Sequence, residues 1–266
     1  MNIIVCCKQV IDPEAPPASF KIDPATNKVV PPQGVAPVIS PFDEQAIEAA
    51  LRIRDKGGTK VTVLTLGIGL AREVVKKPLS MGADELVLLE DAAFDGGDNW
   101  STANALAAAI RKIGAFDLII TGRQAADWDS GQVGSGIAEI LGIPSVTVAK
   151  KIEIENGKAK VERVTPDGYE VIEVSLPALV TVSNELGEPR YATLKGIMAA
   201  AKKQPIVWKP ADIGLDPSAV GATGRRSVLV KLFQPVKESK CEVITADTPA
   251  EAGVKLAIRL REEKVL

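Results

Sequence analysis

An alternation running through the first half of the chain constrains its fold most. Apolar runs of strand length are each followed by a stretch with helical period. NIIVCCKQV at 2–10, KVTVLTL at 60–66, Glu85–Leu89 and the run from Phe116 to Ile120 are apolar nearly throughout, not on every second residue, as strands buried on both faces are. Ser40-Pro41-Phe42-Asp43 opens the first helix, with Ser40 expected as N-cap, Pro41 at the first helical position and Asp43 at the capping-box position. Ala46, Ile47, Ala50, Leu51 and Ile53 then form its apolar stripe, which stops at Gly57-Gly58. A second helix is predicted from about Leu70 to Met81, kinked or shortened by Pro78, and an Ala-rich third one is capped by Ser101 or Asn99. Strand and helix alternate four times in about 140 residues, which predicts an α/β fold with a doubly wound, mostly parallel sheet.

Three stretches depart from that rhythm. Residues 11–39 are rich in proline and hold one hairpin signal, FKIDPATNKVV, so they read as an excursion. From Ser145, SVTVAKKIEIENGKAKVERV and GYEVIEVSLPALVTVSN alternate apolar and polar residues around an Asn156-Gly157 turn, which predicts an antiparallel ribbon on one sheet edge. Beyond Glu185 the sequence settles only at Leu194–Lys203, where Arg190, Lys195, Lys202 and Lys203 stand beside Tyr191, Leu194, Ile197 and Met198. Composition alone favours a helix with its apolar face buried over an exposed docking segment. Residues 210–247 show no convincing long element until VLVKLF, and a last helix starts with Thr248 as cap, Pro249 and Glu251 and runs to about Lys264. The expected division is an α/β domain over 1–205, including ribbon and docking loop, and a C-terminal arm over 206–266 that needs a partner subunit to bury it.

The candidate site is the strand-to-helix crossing Thr121–Leu141, TGRQAADWDSGQVGSGIAEIL. Ligands in open α/β sheets bind at such crossings. The backbone N–H groups of Ser130, Gly131 and Gln132 are expected at a helix N-terminus, which suits an anion, and Gly131, Gly134 and Gly136 admit a ligand or a neighbouring strand. Against this, Asp127 and Asp129 flank the spot, the loop has no lysine, and neither a Walker pattern nor GxGxxG is present, so a bare polyphosphate is expected to be repelled. The residues equally admit an ordinary loop in which Asp127 and Asp129 are turn residues and Arg123 is their surface partner.

Composition narrows the function. The 266 residues carry a net charge of −2 with dispersed basic residues, which argues against nucleic acid as a partner. The absence of histidine removes the commonest general base and most zinc sites, so a carrier or binding role gains over acid–base catalysis, and neither catalytic nor metal residues are proposed. Cys6, Cys7 and Cys241 are expected as buried reduced thiols. No signal or transit pattern is evident at Met1–Val10, no run approaches the roughly 20 apolar residues of a membrane span, and a cytoplasmic location is expected.

Several motifs in order give a resemblance. VERVTPDGYEVIEVSLPALVTV at 161–182, with Arg163, Asp167-Gly168, Glu170 and Pro177, is similar to the signature of the electron transfer flavoprotein β subunit. EPRYATLKGIM at 188–198 looks like the loop by which these proteins recognise dehydrogenases, and SMGADE at 80–85, KQVID at 8–12 and GRQAAD at 122–127 agree. The resemblance implies a heterodimer sharing FAD with an α subunit, with electrons arriving from acyl-CoA or related flavin dehydrogenases and leaving to a membrane quinone reductase or another acceptor. It also implies an AMP held by Cys6, Ser40, Pro41, Phe42, Asp43, Leu66, Gly122, Arg123, Gln124, Ala125, Asp127, Asp129, Ser130, Gly131, Gln132, Val133 and Gly134. Glu188, Pro189, Arg190, Tyr191, Ile197 and Met198 would dock the dehydrogenase, with Leu194 as the inserted anchor.

The pattern departs in places. AMP-holding members usually have Asn where Ser40 and Gly131 stand. Residues 127–135 are closer to electron-bifurcating members, which hold a second FAD there and oxidise NADH, yet those show DGDTAQVGP, and Trp128 is bulky where a flavin would approach. AMP and a second FAD thus stand as alternatives. Outside this class the alternatives are a stand-alone nucleotide-binding regulator of the stress-protein kind and an ATP-pyrophosphatase-like enzyme, the latter disfavoured by the lack of a Ser-Gly-Gly loop after the first strand.

Overall fold

The apolar runs do become the middle of one sheet. In the computed structural model, which describes residues 1–235 and 241–266, β1 (Asn2–Cys7) stops at the pair of cysteines, earlier than the expected Val10. β2 (Gln9–Ile11) turns away to pair antiparallel with β5 (Pro37–Ile39), and between them β3 (Lys21–Asp23) and β4 (Lys28–Val30) form the expected hairpin, with Asn27 in the left-handed region at φ 56°.

After α1 (Pro41–Arg54) the chain lays down β6 (Lys60–Leu66), then α2 (Arg72–Val75) and α3 (Lys77–Met81), where the expected single helix is split in two with Pro78 in the first turn of the second. β7 (Glu85–Leu89) follows, then α4 (Asn99–Ile113), β8 (Leu118–Gly122) and α5 (Val133–Leu141). The cap of α4 is neither Ser101 nor Asn99 but Asp98, whose carboxylate accepts from the Ser101 amide at 2.9 Å while Ser101 Oγ accepts from the Asp98 amide at 3.0 Å.

The ribbon is β9 (Ser145–Glu155), β10 (Lys158–Thr165) and β11 (Gly168–Ser175), turned at Asn156-Gly157 with φ 49° and 74°, as a two-residue hairpin of this type needs. β12 (Ala178–Val182), expected within the ribbon, is instead a fully buried strand parallel to β8 and β9, because ALVTV is apolar on both faces. α6 (Leu194–Lys202) follows, and β13 (Ile206–Trp208) closes the sheet beside β7. With β13 in the sheet and α7 (Gly221–Gly224) after it, the first compact unit runs from Met1 to Val230. This moves the division from the expected 205/206 to 230/231. Val228–Phe233, expected to be regular, forms no helix or strand.

The nine strands lie in the order β11-β10-β9-β12-β8-β1-β6-β7-β13. Side chains of β1 alternate: Ile3, Val5 and Cys7 enter a core shared with α1 and α3, while Ile4 and Cys6 enter one shared with α4 and α5. The sheet is therefore covered on both faces, and its parallel strands have no polar side to show. From β1 the chain adds β6 and β7 in one direction, then crosses back to place β8 on the other side of β1. The direction of winding switches between β1 and β8, the point at whose carboxyl ends open α/β sheets form their ligand crevice.

The second unit, Lys231–Leu266, contains α8 (Pro249–Glu262). Thr248 Oγ1 accepts from the Glu251 amide at 3.2 Å, so the first half of the expected capping box is formed, and the apolar residues Val254, Leu256 and Ile258 are exposed. Among the described residues no helix is long and apolar enough to cross a membrane.

Candidate functional site

The crevice is framed from below by one buried carboxylate. Asp43 Oδ2 accepts from the Lys8 amide at 2.8 Å and Oδ1 from the Gly122 amide at 3.1 Å, so a single side chain on α1 ties the ends of β1 and β8 together. This corrects the capping-box expectation, because Asp43 serves two strand ends that have run out of sheet partners. Ser40 stands at the N-cap position but makes no cap hydrogen bond; its Oγ accepts instead from the Ala126 amide at 3.3 Å, in the candidate loop. Burial pushes the Asp43 carboxyl up to about 7, opposed by its two amide donors and by the Lys8 charge. Gly122 fits against it only because it lacks a side chain: a Cβ there would come within 2.5 Å of Asp43 Oδ1.

The loop above is held by polar contacts the sequence did not announce. Lys8 Nζ lies 2.7 Å from Asp127, so the lysine that the loop lacks arrives from the end of β1 and neutralises the carboxylate expected to repel an anion. Asp129, in the left-handed region at φ 50°, accepts from Gln124 Nε2 at 2.7 Å. Arg123 is not the partner of either aspartate: its amide donates to Val182 O at 2.8 Å and its guanidinium lies over the Phe42 ring, 4.8 Å from the centroid. Asn99, at the start of α4, accepts from Ser130 Oγ and donates to Gln132 Oε1, both at 3.0 Å.

The amides of Ser130, Gly131 and Gln132 are exposed at the start of α5, and among the described residues no acceptor meets them. Gly131, at φ 63°, sustains that conformation without strain. The structure therefore brings Cys6, Ser40, Phe42, Asp43, Leu66 and the 122–134 loop to the carboxyl ends of three adjacent strands, β8, β1 and β6. Gly134 is placed differently from the rest, with Thr121 and Thr181 against it, so the close neighbour it admits is the sheet. Lys8 and Asn99 were missed. Lys8 is the first residue beyond β1, which is the one signal that could have found it; Asn99 shows none, since only the fold carries the start of α4 to the loop.

The thiols add no nucleophile here. Burial, with the Asp43 charge behind it, pushes Cys6 up to about 12 and Cys7 well above the usual thiol range, so both stay protonated; Cys241, expected buried, is exposed.

A second surface lies on α6. Tyr191 is 96 % exposed, Leu194 74 %, Met198 60 % and Ile197 50 %, which overturns the buried face that composition favours. Arg190, expected to dock, is occupied within the fold: its guanidinium reaches Glu48 and Asp55, each at 2.7 Å, and Arg52 meets Glu48 at 2.8 Å from the other side. Burial raises the Glu48 carboxyl, but the bonds from Arg190 and Arg52 outweigh it and hold Glu48 below its usual value. Glu188 is exposed and Pro189 half-buried in the same segment.

A family model described as the electron transfer flavoprotein domain matches residues 28–213. The chain belongs to the electron transfer flavoprotein family, among its β subunits. It is 43 % identical over 267 aligned residues to a caffeyl-CoA reductase-Etf complex subunit, CarD, of Acetobacterium woodii, covering all of both chains. To an electron transfer flavoprotein subunit beta of Thermoanaerobacterium thermosaccharolyticum it is 42 % identical, again over both full lengths. To protein FixA of Azorhizobium caulinodans it is 37 % identical, over 97 % of this chain and 93 % of the other. Its relatives are electron transfer flavoprotein subunits, that is, electron carriers of a flavoprotein family.

Proposed function

We propose that this chain is the β subunit of a heterodimeric electron carrier that shares an FAD with an α subunit, accepts electrons from an acyl-CoA-type flavin dehydrogenase docked on α6, and passes them to a quinone reductase or another acceptor. The observation that supports this best is the switch-point crevice. It offers three unpartnered amides at a helix start, a neutralised aspartate, and glycine where a side chain would intrude. Such a cradle fits the phosphate of an adenylate. The residues that would hold the nucleotide are those of the 122–134 loop with Ser40 to Asp43, Cys6 and Leu66. When bound, the flavin supplies the electron chemistry; the protein's part is to hold and orient it. The arm 231–266, with the exposed apolar residues of α8, is the surface we assign to the α subunit.

A second FAD in the crevice, with NADH as donor, is the alternative reading. Residues 127–135, closer to the pattern of electron-bifurcating members, with Gly131 in place of Asn, are what supports it. Co-purification with the α subunit, denaturation and mass spectrometry of the released nucleotides separate the readings. One FAD and one AMP per heterodimer supports the simple carrier, two FAD the bifurcating one, and a colourless chain with ATP would overturn both.

A further inference from the structure

The start of α4 touches two segments that have no other reason to communicate. Asn99 grips the loop of the candidate site through Ser130 and Gln132, both at 3.0 Å. Its neighbour Asp98 grips the end of the first unit. Asp98 Oδ2 accepts from the amides of Arg226 and Ser227, each at 2.8 Å, and from Ser227 Oγ at 2.9 Å. The Arg226 guanidinium lies 3.3 Å from the centroid of the Trp100 ring on the same turn. Burial pushes the Asp98 carboxyl up, but the donors from Ser101, Arg226 and Ser227 outweigh it and hold it well below the usual carboxylate range, so it stays an acceptor throughout the physiological pH range. Residues 225–230 form no helix or strand, and within the first unit this turn of α4 supplies their hydrogen-bonded anchor. They lead directly into the second unit at Lys231.

We infer that Asp98 and Asn99 are positioning residues that couple occupancy of the switch-point crevice to the anchoring of residues 225–230. The inference rests on the adenylate reading of the crevice. A nucleotide that orders the 130–132 amides also orders Ser130 and Gln132, and through them Asn99 and the first turn of α4. Asp98, one residue away, then presents a better-fixed acceptor to Arg226 and Ser227. Coupling of this kind is reciprocal: whatever loosens the 225–230 segment must weaken the nucleotide by the same factor.

The test is amide hydrogen exchange read by mass spectrometry on the full chain in complex with its α subunit, nucleotide-depleted, with and without saturating AMP. In the wild type AMP slows exchange in both 123–134 and 225–228, the latter by at least about fivefold, the low end of common coupling factors. In Asn99→Ala the loop is still protected and the 225–228 response disappears. In Asp98→Asn the cap to Ser101 survives, because the amide oxygen still accepts, but a donor now faces the two amides of Arg226 and Ser227, and only the Ser227 hydroxyl can turn to accept from it. Exchange at 225–228 becomes fast with or without AMP, and the Kd for AMP rises about fivefold. Protection of the loop without any change at 225–228 overturns the coupling and leaves the proposed function standing, as does an Asn99→Ala variant that behaves like the wild type or an Asp98→Asn variant of unchanged AMP affinity. An effect on neither segment, with AMP or with FAD as the added nucleotide, overturns the adenylate site and the coupling with it.

Discussion

The crevice between β1 and β8 and the apolar face of α6 are built from stretches of similar length, and they solve opposite problems. At the crevice nearly every polar group that the strands leave behind is met from within: Asp43 serves Lys8 and Gly122, Ser40 serves Ala126, and Lys8 serves Asp127. Among the described residues the amides of 130–132 are left without an acceptor on an exposed stretch, and Arg123 Nε and Thr65 Oγ1 are buried without a partner. Just ahead of α6, Arg190 is satisfied inside the fold against Glu48, while Tyr191 beside it and Leu194, Ile197 and Met198 on α6 meet solvent. Unmet polarity is why the proposed function assigns a small anion to the first surface, and unmet apolarity is why it assigns a protein to the second.

If that contrast is right, stability and function separate in mutants. Asp43→Ala strands one buried and one part-buried amide and should lower the unfolding free energy by about 2–4 kcal/mol in urea titration. A loss under about 1 kcal/mol would mean that water replaces the carboxylate freely. Glu48→Ala leaves Arg190 and Arg52 without their shared carboxylate. Because Arg190 is partly exposed, the cost should be nearer 2 kcal/mol than that of a sealed pair, and Tyr191–Met198 should become more protease-sensitive.

The two carboxylates also differ in how pH reaches them. Asp43 is raised from an ordinary 3.8 to about 7, so the folded state holds its proton more tightly than the unfolded one. Its contribution to stability is complete below 3.8 and is lost as pH rises through about 7. Glu48 is lowered from 4.5, so its contribution is complete above 4.5 and is lost as pH falls below that value. Urea midpoints followed from pH 4 to 8 should therefore fall less steeply with rising pH in Asp43→Asn than in the wild type. Parallel curves would show that Asp43 is ionised throughout that range.

The smallest effect on stability belongs to Leu194→Ala, within about 0.5 kcal/mol of the wild type because the side chain is already in water. The same variant should slow electron transfer from the donor dehydrogenase about tenfold with flavin content unchanged, as loss of an interface anchor does. Unchanged transfer would place docking elsewhere.

The alternation of buried runs and amphipathic helices was legible because burial on both faces leaves a strand no polar residues to disguise it. That pattern alone placed β1, β6, β7 and β8, α1 and α4, and the loop at 122–134. The edges were less legible. ALVTV read as ribbon by its neighbours and proved central, while Ile206–Trp208 was too short to announce itself and joined the sheet only because β7 offered an open edge. Capping signals were the weakest, since Ser40, Asp43 and Asn99 are residues that can bond to any nearby backbone, and here the nearest needy groups lay in other elements.

The order of apolar and polar residues determined by itself that this chain would wind a parallel sheet, put a glycine-rich crossing at its carboxyl edge, and carry an apolar segment near 190–200, because each follows from periods of a few residues. Tertiary structure decided which side chains complete the crevice and which face of α6 stays wet. Lys8 and Asp127, Asn99 and Gln132, and Arg190 and Glu48 are separated by 119, 33 and 142 positions, and only the packing of strands and helices into one fold brings such pairs within hydrogen-bond reach.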